Sequence, residues 1–485
     1  MAETGMKKKV LSGLFWKYAE RCCAQGVTFI VGIVLARTLT PDDYGLSSLS
    51  AIFINILTLV GDLGLGNALI QKKETDELDY NSVYYINLAL NFVLYAIIYF
   101  AAPLGAKFYR EPRITAMIRV SALTLIIGAL FSMQYTIIHK KMLFRKFFYS
   151  TIAGTIVSSF VGIYMAVKGY GTWAIIGQNL SNTIISKIVL AFMAKWTPKL
   201  MFSLKRVKPL YKFGWKMMVS SAIDQFYNNM YSLLIGRWYT KTDLAYYNRG
   251  KQYPMYIIDN LNSSINSVLF PALSEKQENK EEFKKMVRRS IKTSTFLVFP
   301  CMAGLAGTGR ALITLLITEK WLPALPFLWF SCFTYALWPV HTANLQAVKA
   351  IGRSDVFLNL EVVKKVYGVI ILIVTLPFGL MAMMWGRVFS TILSSFVNAS
   401  PNKKLIGYSY FEQVKDILPA FLLSGIMLVC VLAVELLGFN MWLTLLIQVP
   451  VGVIVYAGGA KLFKFESFEY LWLTVKELLP KRKQA

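Results

Sequence analysis

Lys17, Arg21, Gln25 and Thr28 recur at three- and four-residue spacing inside an otherwise apolar stretch near the N-terminus. On a helix that spacing sets them on one face. A row of cations there can hold an anion through charge-assisted hydrogen bonds. At a rise of about 1.5 Å per residue, Arg21 lies about 15 Å into the segment, too deep to snorkel, so it is expected to face a cavity. Farther on, Glu361 and Lys365 stand four residues apart with Lys364 beside them. They read either as an internal ion pair that fixes packing or as part of a charged lining. Arg387 opens a polar face continued by Ser390, Thr391, Ser394 and Asn398, and Ser220, Asp224 and Asn228 share another. Asp62, Asp224, Asp259 and Glu361 are acids in such segments, either counter-ions or protonatable groups for ion coupling. Lys187 and Lys216, near segment ends, read as snorkelling lysines.

The elements that must position these residues are membrane helices. Of 485 residues, 56% are hydrophobic and 16% charged, with a mean hydropathy of +0.50. Soluble proteins run closer to a quarter charged. Apolar runs such as 83–106 and 417–437 match the thickness of a bilayer. The pattern predicts an all-α integral membrane protein of 14 transmembrane helices, beginning with 11–37 and 44–70 and ending with 417–437 and 440–462. The formal net charge of +26 would suggest a nucleic-acid partner in a soluble protein. Here Lys and Arg fall on alternate connections in a ratio of roughly three to one, which places both termini in the cytoplasm and makes nucleic acid unnecessary. Lys7-Lys8-Lys9 before the first span, without a small-residue cleavage site, reads as the start of a retained helix. The stretch 465–479, ending in Pro480-Lys481-Arg482-Lys483, reads as an interfacial helix on the inner leaflet. The eighth span, 250–273, carries Asp259, Asn260, Asn262, Ser263, Ser264 and Asn266, which could not face lipid.

Other chemistries have little to work with. The sequence contains no GxxxxGK[ST] loop and two histidines, His139 and His341, so no metal site, cofactor or catalytic residue is expected. Cys22, Cys23, Cys301, Cys332 and Cys430 lie in apolar stretches and read as small buried hydrophobes. Gly61, Gly64 and Gly66 read as close helix packing rather than phosphate binding.

A weak internal repeat is also present. Trp16-Lys17 opens the first span and Trp215-Lys216 the seventh. Arg37-x-x-Thr40-x-x-Asp43-x-Gly45 follows the first, and Arg237-x-x-Thr240-x-x-Asp243-x-Ala245 the seventh. The order of matches predicts two parallel six-helix lobes, 1–195 and 196–404, then two helices in 405–463 and a cytoplasmic interfacial tail over 464–485. Parallel repeats of this kind are a transporter architecture, with substrate near the midplane between lobes. Several cations in such a cavity suit an anionic substrate, whereas an exporter of cationic drugs would present acids there.

Several stretches carry a resemblance to a known family. They are Ala36-Arg37-Thr38-Leu39-Thr40-Pro41-Asp42-Asp43-Tyr44-Gly45, Asp62-Leu63-Gly64-Leu65-Gly66-Asn67-Ala68-Leu69-Ile70-Gln71 and Ala245-Tyr246-Tyr247-Asn248-Arg249-Gly250. Val268-Leu269-Phe270-Pro271-Ala272-Leu273, Thr318-Glu319-Lys320-Trp321 and Ala350-Ile351-Gly352-Arg353-Ser354-Asp355 complete the set, with Leu360-Glu361-Val362-Val363-Lys364-Lys365. Together they resemble the polysaccharide transporter family of bacterial flippases, within the multidrug/oligosaccharidyl-lipid/polysaccharide exporter superfamily. The similarity runs along essentially the whole chain, although 380–386 is more Met-rich than the family pattern. The resemblance implies a non-enzymatic flippase of the bacterial inner membrane. It would move an undecaprenyl-pyrophosphate-linked oligosaccharide to the outer leaflet for O-antigen, capsule, exopolysaccharide or teichuronic-type polymer, by alternating access. It implies lipid and the bilayer as partners, with a polymerase and chain-length machinery downstream. It also implies that Lys17, Arg21 and Arg249, and in the second lobe Lys364, Lys365 and Arg387, hold pyrophosphate and sugar acids. The rival readings are a multidrug exporter of the same superfamily and a membrane polymerase or ligase, which would need a large outer loop.

Overall fold

Thr40 and Asp43 start a helix by bonding one another's backbone. Thr40 N donates to Asp43 Oδ2 at 3.0 Å and Asp43 N to Thr40 Oγ1 at 3.3 Å. Two otherwise orphaned N–H groups are satisfied at once. Pro41 then occupies the first turn, where its missing donor costs nothing. Such local devices, with long apolar runs between them, yield a chain whose regular structure is helical throughout residues 2–478, the residues that this computed structural model describes.

In the first half the helices are α1 (Ala2–Thr38), α2 (Pro41–Asp62), α3 (Leu65–Gln71), α4 (Glu77–Tyr109), α5 (Ile114–Ser121), α6 (Leu123–Leu130), α7 (Ser132–Lys140), α8 (Phe144–Val167), α9 (Thr172–Ala194) and α10 (Leu204–Trp238). The second half continues with α11 (Lys241–Glu275), α12 (Lys280–Gly307), α13 (Gly309–Ile317), α14 (Leu325–Ala336), α15 (Trp338–Ala350), α16 (Ser354–Thr375), α17 (Leu380–Ile406), α18 (Tyr410–Ala433), α19 (Met441–Leu462) and α20 (Glu466–Leu478). Among the described residues, 8 helices are long and apolar enough to cross a membrane, or 10 if the bent pairs α5–α7 and α12–α13 each count as one span. The protein is therefore a multi-pass membrane protein. Helices also occupy the other expected segments. There α16 carries Glu361, Lys364 and Lys365, α14 and α15 are divided at Leu337, and the middle of α11 is a run of Asp, Asn and Ser.

The expected span 44–70 is broken. α2 ends at Asp62, Leu63 and Gly64 take left-handed backbone, and α3 restarts at Leu65. A Cβ on Gly64 would meet the Gly214 backbone of α10, so the close approach of α10 needs glycine as much as the turn does. Two compact units result, Met1–Ala245 and Tyr246–Ala485. By packing, α10 belongs to the first, against α2, α3 and α4.

The second unit shows how polar helices are kept from lipid. Asn262 and Asn266 of α11 accept hydrogen bonds from Thr342 (3.1 Å) and Gln346 (2.7 Å) of α15. Asn344, Asn402 and Gln413 form a buried cluster, with Asn344 Nδ2 donating to Gln413 Oε1 at 2.7 Å and Asn402 Nδ2 to Asn344 Oδ1 at 2.6 Å. These amides find partners on other helices, as a water-poor environment favours. At the end of this unit α20 is tied down by Lys292–Glu466 at 2.5 Å and by Phe468 packing on Phe296, while Trp472 and Leu473 stay exposed. The basic stretch Pro480 to Lys483 lies outside the described residues, as do the side chains of Lys7 to Lys9, Lys216 and Ser264. The cysteines depart from expectation. Cys332 is buried, but Cys22, Cys23 and Cys301 are exposed on apolar helices, where a small apolar side chain can face lipid.

The repeated motif builds the same cap twice. Thr240 N donates to Asp243 Oδ2 at 3.1 Å and Asp243 N to Thr240 Oγ1 at 3.0 Å, as at Thr40 and Asp43. The second copy packs on the first. Thr242 donates to Asp42, Lys241 pairs with Asp42 at 3.0 Å, and a Cβ on Gly45 would collide with the Lys241 carbonyl. Lys241 also pairs with Glu111 at 2.9 Å, and Arg113 Nε donates to Glu111 at 2.8 Å. The Arg113 hydrogen bond first, with Lys241 behind it and burial opposing both, holds the Glu111 carboxyl down at about 2, against an ordinary 4.5. A value depressed on folding means stability that is whole above the ordinary carboxyl range and lost as pH falls toward the folded value. Glu111→Gln is therefore expected to flatten the loss of thermal stability between about pH 5 and about pH 3, measured by unfolding in detergent. An unchanged profile would show that the network adds nothing.

Candidate functional site

The cationic stripe sits on α1, whose stretch Phe15–Thr38 is long and apolar enough to cross a membrane. α1 packs on α8. The contact face is set by Gly13 against Phe144 and by Glu20, which accepts a 2.7 Å hydrogen bond from Thr151. With that face committed, Lys17 and Thr28 are exposed and Arg21 and Gln25 half-buried. Lys17 Nζ stands 5.6 Å from the Phe144 ring centroid. The sequence reading overlooked Glu20, an acid within this stripe whose spacing to Lys17 could have flagged it.

In the second unit the candidate residues are engaged with protein. Arg249 is 6% exposed, stacked on Trp321 at 5.0 Å, and donates through Nη1 to Gln252 Oε1 at 2.9 Å. The guanidinium is thus held in an aromatic stack. Arg387 is half-buried, donating to the Tyr247 hydroxyl at 2.7 Å and standing 5.7 Å from the Tyr335 ring. Lys364, the i,i+3 neighbour of Glu361, pairs with it at 2.6 Å. Lys365 is half-buried beside them. Asp224 is exposed on α10 and Asp259 half-buried on α11. Among the described residues no cluster of three His, Cys, Asp or Glu side chains could hold a metal ion.

Asp62 is placed differently. It opens into a cavity of about 290 Å³ inside the first unit, walled by α2, α3, α4, α6, α7 and α9, with several polar side chains among its lining. An adjoining cavity of about 500 Å³ reaches toward the start of α2, at Ser47 and Ser50. Lys187 lines both, with its Nζ 5.2 Å from the Tyr135 ring centroid. The lysine read as snorkelling is thus turned into the unit. Its signal was present in α9, where Asn179, Thr183 and Lys187 share one face at four-residue spacing.

This fold and these sequences have known counterparts. The polysaccharide biosynthesis protein family model matches residues 34–326, more than half of the chain. The teichuronic acid biosynthesis protein TuaB of Bacillus subtilis (strain 168) is 23% identical over 466 residues, covering 93% of this chain and 94% of its own. The lipopolysaccharide biosynthesis protein WzxC of Escherichia coli (strain K12) is 24% identical over 438 residues, covering 86% of each. The succinoglycan biosynthesis transport protein ExoT of Rhizobium meliloti (strain 1021) is 22% identical over 357 residues, covering 73% of this chain and 72% of its own. Among solved structures, the lipid II flippase MurJ in an inward closed conformation superposes with a TM-score of 0.75 at 16% identity, over 93% of this chain and 98% of that one. An inward-facing multidrug resistance MATE family transporter of the MOP superfamily gives 0.56 at 14% identity, over 78% and 94%. The fold is shared with both, and by its sequence the chain belongs to the polysaccharide biosynthesis protein family.

Proposed function

We propose that the protein is a flippase for a lipid-linked oligosaccharide. It carries an undecaprenyl-pyrophosphate-linked repeat unit from the cytoplasmic to the outer leaflet of the bacterial inner membrane, for assembly of a surface polysaccharide. The observation that carries this reading is Lys17, exposed on α1 one turn from the half-buried Arg21, on a helix that is otherwise apolar enough to cross a membrane. A charge kept there against the cost of desolvation needs a task. A pyrophosphate offers two anionic groups for charge-assisted hydrogen bonds. The relatives named for succinoglycan, teichuronic acid and lipopolysaccharide biosynthesis support a surface glycan as cargo, and the MurJ-like fold supports a lipid carrier.

In this reading the chain has fourteen spans, both termini in the cytoplasm and lobes at 1–195 and 196–404. The helices α10, α11, α14–α15 and α16 make up the count, and polar residues on them can turn to protein, as Asn262 does to Thr342. The prenyl chain stays in the bilayer while the charged head is exposed first on one side and then on the other. Lys17 and Arg21 are its ligands. Arg249 keeps the aromatic stack in place instead.

Two outcomes follow. In a strain that depends on this gene, Lys17→Ala and Arg21→Ala are each expected to lower surface polymer about tenfold or more at normal protein level, since a hydrogen bond to a charged group contributes about 1.5–3 kcal/mol. Full polymer at normal level in both variants would refute the cationic site. Arg249→Ala is expected to lower thermal stability by about 2 kcal/mol, through loss of its buried cation–π contact. An unchanged melting temperature with lost export would return Arg249 to the substrate.

A further inference from the structure

We propose that the first unit contains a subsite for one sugar ring of the transported head, in the amide-lined chamber beside Asp62 and Lys187. This rests on the flippase reading and adds where the glycan is recognised.

The first observation is an exposure that an apolar setting does not explain. Asn55 in the middle of α2 and Asn179 in α9 lie on helices long and apolar enough to cross a membrane, yet both are exposed. Both open into the cavity of about 500 Å³. Asn91, in the same unit, instead donates to the Gly61 and Asn87 carbonyls at 2.9 and 2.8 Å. A free amide is stable inside a bundle where water or a ligand meets it. Asn67 presents a third amide, exposed in the adjoining cavity of about 290 Å³.

The second observation is what the walls can donate and accept. The hydroxyls of Thr58, Thr124 and Thr183 donate to backbone carbonyls three or four residues earlier, at 2.8, 2.7 and 3.0 Å. Their oxygens are thereby left to accept. The asparagines both donate and accept, Asp62 accepts, and Lys187 donates. This mixture suits a polyol, whose every hydroxyl is both donor and acceptor. Tyr135, 45% exposed, adds a ring face at one end.

Ions fit less well. The chamber exceeds a cation's coordination shell and falls in the size class of pockets for small organic molecules. For an anion, Lys187 is offset by the Asp62 carboxylate, which acts on it electrostatically. A site built from hydrogen-bonding groups discriminates strongly against a ligand that lacks the matching hydroxyl. The chamber would therefore set which glycan is accepted, while the stripe on α1 binds what all such substrates share.

The test uses the full-length protein in nanodiscs, with methyl glycosides of glucose, galactose, N-acetylglucosamine and glucuronic acid as probes and saturation-transfer NMR as readout. At least one glycoside is expected to give a saturable signal, reduced about tenfold or more in the Asn55→Leu/Asn179→Leu double variant. No signal from any glycoside, or an equal signal in a folded double variant, overturns the subsite. If the double variant does not fold, Asn67→Leu takes its place under the same criterion. Export in the dependent strain separates this claim from its parent. Export lost in Arg21→Ala but full in the double variant removes the subsite and keeps the flippase; full export in both removes both.

Discussion

Inside a bilayer no water stands by to satisfy a polar group, so each one must find a protein partner or a cavity. That constraint sorts the polar residues of this chain. Lys140 spends its ammonium on the Leu69 and Lys72 carbonyls and on Thr75, at 3.1, 2.6 and 2.9 Å. Arg249 is absorbed by Trp321 and Gln252, Lys364 by Glu361, and the asparagines of α11 by α15. Lys17 stays exposed on α1 with Arg21 half-buried one turn away, and polar groups line the chamber of the first unit.

The duplicated cap gives the same physics a second use. Thr40–Asp43 and Thr240–Asp243 close their helices identically, so the two stretches can present equivalent surfaces to one another. They differ where they touch. Gly45 leaves room for the Lys241 carbonyl, while its counterpart Ala245 carries the Cβ that Gly45 lacks. Lys241 then bridges Asp42 and Glu111, an arrangement that a repeat without divergence could not make.

Much of the fold was legible in the sequence because long apolar runs have one economical solution in lipid. The helices, the capped repeat and the tight approach at Gly64 all follow from local patterns. The break of the second span at Leu63 was harder to see. It depends on Gly214, some 150 residues away, coming close enough to demand a turn. The site was legible in part. Spacing set Lys17, Arg21, Gln25 and Thr28 on one helix face, and Asp62 stood out as an acid in an apolar segment. Spacing could not show that Arg249 stacks on Trp321, because that depends on a contact between distant segments. The polar face of α9 held a usable signal, and reading Lys187 apart from Asn179 and Thr183 concealed it.

The account stands on the direction in which a lipid-linked glycan is moved. The direct measurement is the leaflet occupied by the lipid-linked repeat unit in spheroplasts depleted of this protein, probed with a lectin or a glycosidase that does not cross the membrane. The account predicts that the unit accumulates on the cytoplasmic face, out of reach of the probe until the cells are opened. Accumulation on the outer face would place the block after translocation and contradict it.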